Sequence, residues 1–204
     1  MRMRKKKHGA ERIASCGSIV IKSPDEIPKS GVYLEIGCGK GTFISESAKR
    51  EPDKSFIGLE RVSDVLLLAA EKIKNNGQEN VHFIIGDAKN LPEYFEPASV
   101  ERIYLNFSDP WPKKGYHKRR LTHKNFLEIY KSVLVPNGAI FFKTDNRDLF
   151  DFSLEQFAEA GFELKNLTYD LHNSEFNEGN IVTEYEANFS AKGFKINRVE
   201  AHLL

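Results

Sequence analysis

From Val32 onward, short apolar runs alternate with longer amphipathic stretches. The runs "VYLEIGC" (32–38), "SFIGLE" (55–60), "VHFII" (81–85), "VERIYLNF" (100–107) and "AIFFKT" (139–144) are rich in β-branched and aromatic residues and have strand length. Helical patterns separate them. "FISESAK" starts one, and Val62–Asn76 repeats Val62, Val65, Leu66, Ala69, Ala70 and Ile73 at helical spacing before Gly77. Phe126, Tyr130, Val133 and Leu134 mark a helix stopping at "VPNG", and Arg147–Ala160 reads as another, closed by Gly161. The tail breaks the rhythm. "FELKNLTYDL" and "VTEYEANFSA" have no helix between them and predict a closing antiparallel pair. Such alternation predicts an α/β fold, a mostly parallel sheet with helices on both faces. Ligands of these sheets sit beyond the carboxyl ends of the strands.

Those ends carry acids. The first run contains Glu35 before "GCGKG", and the next four end at or near Glu60, Asp87, Asp109 and Asp145. A helix cap or a solvated loop explains any one of them. Five acids at one edge point to a site. Gly37, Gly39 and Gly41 form G-x-G-x-G between strand and helix, which permits a tight turn and close backbone approach to a ligand. Thr42 stands where the dinucleotide pattern would place its third glycine. Cys38 reads as a small packed residue.

At 204 residues the chain is long enough for one domain with a full core, here 31–204 behind a basic N-terminal arm, 1–30. No apolar run approaches the ~18–20 residues needed to span a bilayer. The basic start lacks the apolar stretch of a secretory signal. Two cysteines, Cys16 and Cys38, and six histidines without ligand-like pairing predict neither disulfide framework nor metal. A reducing, cytoplasmic setting is expected.

Charge location changes the picture more than the net +1 does. Residues 1–30 hold eight Lys/Arg against three acids, and 111–124 hold six against none, together +11, so the remaining 160 residues sum to −10. A basic rim around an acidic body fits a polyanionic partner. A pyrophosphate cofactor favours helix amides and few acids. An acidic crevice instead suits S-adenosylmethionine, with its ammonium, sulfonium, ribose hydroxyls and adenine amine. Glu60 follows Gly41 by 19 residues, as a ribose acceptor would. A nicotinamide enzyme also uses such an acid; the other carboxylates separate the two readings.

"EIGCGKG", "GLE", "GDA", "LNFSDPWPKKGYHKRRLT", "FKTDN" and "GNIVTEYEANFSAKG" resemble, in order, the bacterial tRNA (guanine-N7-)-methyltransferase family, from about Tyr33 to Gly193. The resemblance implies a Rossmann-like class I S-adenosylmethionine-dependent methyltransferase fold with a seven-stranded sheet. It implies methyl transfer to a variable-loop guanine of tRNA. Residue by residue, it implies cofactor contacts at Glu35, Glu60, Asp87 and Asp109, the last also the catalytic position; the glycines Gly37, Gly39 and Gly41 join them from the motif itself. It implies substrate contacts at Lys113, Asp145, Thr183, Glu184, Tyr185 and Glu186, with Gly115, Tyr116, His117, Lys118, Arg119 and Arg120 facing RNA. Gly115-Tyr116 departs from the family's more usual basic residue and histidine. A methyltransferase for exocyclic or protein amines and a non-catalytic RNA-binding module are the rival readings. Monomer and homodimer both stay open.

Overall fold

The computed structural model describes residues 6–204. Its elements in chain order are α1 (Gly9–Ser15), β1 (Val32–Ile36), α2 (Thr42–Arg50), β2 (Ser55–Glu60), α3 (Ser63–Asn76), β3 (Val81–Ile85), α4 (Leu91–Tyr94), β4 (Val100–Asn106), α5 (Lys124–Val133), β5 (Leu134–Thr144), α6 (Arg147–Glu159), β6 (Phe162–Thr168), α7 (Glu184–Ser190) and β7 (Asn197–Leu203). The strands form one seven-stranded sheet in the order β3-β2-β1-β4-β5-β7-β6. Neighbours from β3 to β5 are parallel, and β7 runs antiparallel to both β5 and β6. The expected architecture is present.

Strand periodicity divides the core. Leu34 and Ile36 of β1, Ile57 and Leu59 of β2, and Ile103 and Leu105 of β4 belong to one apolar cluster with residues of α5 and α6. Tyr33, Phe56 and Tyr104, one residue out of phase, belong to a second cluster with residues of α2 and α3. No helix of the described residues is long and apolar enough to cross a membrane.

Two tail assignments change. "VTEYEANFSA" is not a strand: it supplies α7, because Thr183 and Glu186 form a reciprocal capping box that starts a helix. The antiparallel partner of β6 is Asn197–Leu203, whose Val199 and Ala201 are fully buried. The "VPNG" break is absorbed into β5, with Asn137 at φ 63 and a register shift against β4.

Residues 6–30 are docked on the domain rather than extended from it. Arg12 pairs with Glu71 of α3 at 2.7 Å, Lys74 donates to the Ser15 carbonyl at 2.6 Å, and Cys16 and Val20 are buried in the second cluster. Arg2, Arg4 and Lys5 of the basic arm lie outside the described residues.

Gly58 sits in the middle of β2, where an added Cβ would come within 2.6 Å of the Phe83 ring and 2.8 Å of Cys38 Sγ. Both neighbours are themselves buried. Gly58→Ala is therefore expected to lower stability by about 1–3 kcal/mol. Urea unfolding checks this: the midpoint should fall while the slope stays constant.

Candidate active site

A cavity of about 640 Å³ opens at the carboxyl edge of the sheet, where β1 has β2 on one side and β4 on the other. This is the switch point at which open α/β sheets hold ligands. Gly37, Glu60, Asp87, Asp109, Lys118 and Arg119 all line it. Three of the five strand-end acids thus line one cavity with four cations, Arg61, Lys89, Lys118 and Arg119, of which Arg61 pairs with Asp87 at 3.4 Å.

The glycine turn shapes the floor. The amides of Gly37 and Cys38 donate to the Leu59 carbonyl at 2.8 and 3.3 Å, tying the turn to the end of β2. Gly41 has φ 70, and a Cβ there would stand 2.8 Å from that of Ala69, so only glycine fits. Glu60 accepts from Gly39 N at 3.3 Å and from Val62 N at 2.9 Å, which fixes its carboxylate at the turn. Asp87 caps the short turn after β3 by accepting from Lys89 N at 3.0 Å.

Glu35 lies behind this wall rather than on it. It is buried, accepts from Asn106 Nδ2 at 3.0 Å through Oε1, and leaves Oε2 without a partner. Burial pushes its carboxyl up to about 7, against the opposing pull of Asn106 and of the Lys143 ammonium, with Glu60 adding to the rise.

The Asp109 segment is held in a strained shape. Phe107 and Trp111, two residues to either side, have φ 54 and 40, a region that bulky side chains rarely adopt. Each such residue costs on the order of 1–3 kcal/mol. Pro110 and Pro112 restrict the backbone between and after them. Arg120 clamps the result. Its guanidinium, 4% exposed, donates from Nε to the Pro110 carbonyl at 2.8 Å and lies 4.4 Å from the Phe152 ring. The expectation that Arg120 faces RNA is therefore corrected. Asp109 is exposed and makes no hydrogen bond or ion pair among the described residues.

The rest of the loop forms a short 3₁₀ helix over Lys114–Arg119. Lys113, Gly115, Tyr116, Lys118 and Arg119 are exposed, and His117 lies 5.6 Å from Phe152. Arg119 sits 5.0 Å from the Trp111 ring and 4.5 Å from that of Tyr116.

The "TEYE" residues diverge in role. Thr183 accepts from Glu186 N at 3.0 Å as the N-cap of α7. Glu186 is fully buried, with Lys143 Nζ, His172 Nε2 and Asn180 Nδ2 each 2.8 Å from its oxygens. Burial alone would raise the Glu186 carboxyl, but Lys143, His172 and Asn180 outweigh it and hold the group below the usual range. The Glu186 carboxylate is committed to this buried anchor, while the half-buried Thr183 keeps its hydroxyl proton to donate. Glu184 pairs with Lys40 at 2.9 Å, linking α7 to the glycine turn. Tyr185 is exposed and lies 5.0 Å from the cavity-lining Phe107; burial, then the Asp145 carboxylate, push its phenol up, and Asp109 adds to the rise. Asp145 therefore lies beside Tyr185 rather than on the cavity wall.

The family model described as a putative methyltransferase matches residues 29–199. The tRNA (guanine-N(7)-)-methyltransferases of Geobacillus sp. and Bacillus subtilis are 46% and 45% identical to this chain, covering 98% of it and 94% and 98% of themselves. The chain belongs to the tRNA (guanine-N7-)-methyltransferase family. The namesake of Lachnoclostridium phytofermentans is 51% identical over 83% of this chain and 79% of its own. Among solved structures, an antibiotic related methyltransferase superposes with a TM-score of 0.68 at 20% identity, covering 92% of this chain and 98% of the other. The 16S rRNA methyltransferase KamB gives 0.62 at 13% identity, covering 99% and 96%. These likenesses establish the fold, and family and fold together imply S-adenosylmethionine as methyl donor.

The residues present in this tRNA (guanine-N7-)-methyltransferase fit that cation. The buried Glu35 Oε2 makes no hydrogen bond, and no residue beyond the adjoining ones comes within 4 Å of where a side chain would start at Gly37 or Gly39. Sequence reasoning missed Asn106, Lys143 and Ser108, whose buried Oγ also lacks a partner on the cavity wall. The first two were visible as polar interruptions of "IYLNF" and "IFFKT".

Glu35 keeps its proton to about pH 7 in the folded chain, against 4.5 for an ordinary glutamate. The folded state then binds more protons between those values, so stability falls as pH rises through the window. Glu35→Gln carries no charge at any pH. Its stability relative to the parent should grow by up to about 3 kcal/mol from below pH 4.5 to above pH 7, read by urea unfolding across pH. A difference independent of pH would mean Glu35 is not the titrating group.

Proposed function

We propose that this chain transfers the methyl group of S-adenosylmethionine to N7 of a guanine in the variable loop of tRNA, in the cytoplasm. The observation that carries this reading is the meeting, in one cavity, of Glu60, Asp87 and the unpaired Asp109 with Lys118 and Arg119. A cationic donor and a polyanionic acceptor need opposite charges within a few ångströms, and a cavity of one sign would repel one of them.

Glu35 would hold the ammonium through its partnerless oxygen, the added positive charge favouring loss of the carboxyl proton. Glu60, fixed by the Gly39 and Val62 amides, would accept from the ribose hydroxyls, and Asp87 would accept from the adenine end. When bound, S-adenosylmethionine supplies an electrophilic methyl carbon. Guanine N7 offers an in-plane lone pair with no proton to remove, so the site needs no strong general base. Its task is alignment. Asp109 stabilises the positive charge that the purine gains, or accepts from the guanine N1 and N2 donors. Pro110, Pro112 and the Arg120 clamp keep that carboxylate oriented. Lys113, Lys118 and Arg119 take phosphates, while Asp145 and Tyr185 border the entering base. A regular A-form helix hides N7 in its deep groove, whereas a loop nucleotide presents it.

Incubation with unmodified tRNA and labelled S-adenosylmethionine, followed by mapping of the methylated atom, tests the reading. Label on a guanine N7 supports it. Label on an exocyclic amine replaces it with the rival methyltransferase reading. Asp109→Ala is expected to lower kcat by roughly 10²–10³ while cofactor or tRNA binding persists at least in part. Near-normal turnover would remove Asp109 from the chemistry. Lys118→Ala and Arg119→Ala should each flatten the log–log salt dependence of tRNA affinity by about one unit. Arg120→Ala should instead lower thermal stability, since its guanidinium is already used within the fold.

A further inference from the structure

A row of aromatic rings runs from Phe107 on the cavity wall out to Phe194. Phe107, on the cavity wall, lies 5.0 Å from Tyr185; Tyr185 stacks on Phe189 at 4.1 Å and 13°; Phe189 meets Phe194 at 5.5 Å. The row is open to water, with Tyr185 42% and Phe194 51% exposed. Contiguous exposed aromatic surface on a soluble chain marks a contact site.

We propose that this row is a stacking platform for the unpaired nucleotides that flank the target guanine. Three features select RNA as the occupant. The row is continuous with the cavity that takes the base. Lys192 Nζ lies 5.1 Å from the Phe189 ring, placing a cation beside the rings for a phosphate. Arg119, which lines the same cavity, lies against Trp111 and Tyr116, a second place where aromatic faces and positive charge meet. Ring faces of this kind bind any base, which suits a surface that must hold neighbours without reading them.

The platform is also rigid. Tyr185 and Phe189 stand four residues apart on α7, on one helix face. Glu186 between them is locked to Lys143 of β5 and to its own N-cap. The buried ion pair has a desolvation cost that makes it weak evidence for stability. Here it sets the position of the rings.

This inference rests on the tRNA reading above, and the test keeps the two apart. Phe194→Ala, Phe194→Leu and Phe194→Trp are compared with the parent in the full chain, using unmodified tRNA with 2-aminopurine beside the target guanine. The Ala and Leu variants should weaken tRNA binding by roughly 5- to 150-fold and lose the quenching that stacking causes, with cofactor affinity unchanged. Trp should restore both. Leu retains the apolar volume, so parent-like binding by Leu would reduce Phe194 to packing and overturn the proposal. Unchanged affinity and quenching in Ala would overturn it as well. So would a loss of self-association in sedimentation without any change in tRNA affinity, which would make the row a contact between copies. Failure of the parent itself to methylate tRNA would instead sink the functional reading.

Discussion

Parallel pairing from β3 to β5 brings successive strand termini to one edge, and everything at the site follows from that constraint. Glu35, Glu60, Asp87 and Asp109 are far apart in sequence yet become neighbours. Like charges gathered in a half-dry cleft repel one another. The fold relieves this in different ways: backbone amides hold Glu60 and Asp87, and burial keeps a proton on Glu35. Asp109 receives no such relief, which leaves its charge available to a ligand. Acids satisfied by their own backbone shape the site; the unsatisfied one is positioned to act.

That availability depends on strain stored around it. Two bulky residues in the left-handed region bracket Asp109, and this conformation persists because surrounding contacts overdetermine it. The buried Arg120 is the chief of these, binding the Pro110 carbonyl from ten residues downstream. The basic loop thus has a structural root and a solvent-facing tip. Arg119 and Arg120 are chemically identical neighbours with opposite assignments, because the 3₁₀ helix ends between them and the chain turns inward.

Most of the fold was legible because fully buried parallel strands read as continuous apolar runs. The acid at each strand end was legible for the same reason. What escaped had competing signals. "VTEYEANFSA" has the β-branched and aromatic content of a strand, but its capping box wins. β7 was hidden by Arg198 and Glu200, which pair with each other across its polar face while Val199 and Ala201 face the core. Thr183 and Glu186 carry the family's motif, and in the fold they cap α7 while Tyr185 lies against Phe107. Glu35 was placed at the edge; its strand phase already pointed inward beside Tyr33, on the face covered by α2.

The Lys40–Glu184 bond joins residues 144 positions apart, one in the glycine turn and one in the first turn of α7. Both side chains are about half exposed, so the bond is worth no more than about 1 kcal/mol. A tether that weak cannot brace the molecule; it links the glycine turn to α7 at the surface. It yields to ionic strength or to an arriving phosphate at little expense. Breaking it leaves the buried Lys143–Glu186 anchor, in the same first turn of α7, untouched, so the helix keeps its place when the surface bond is lost.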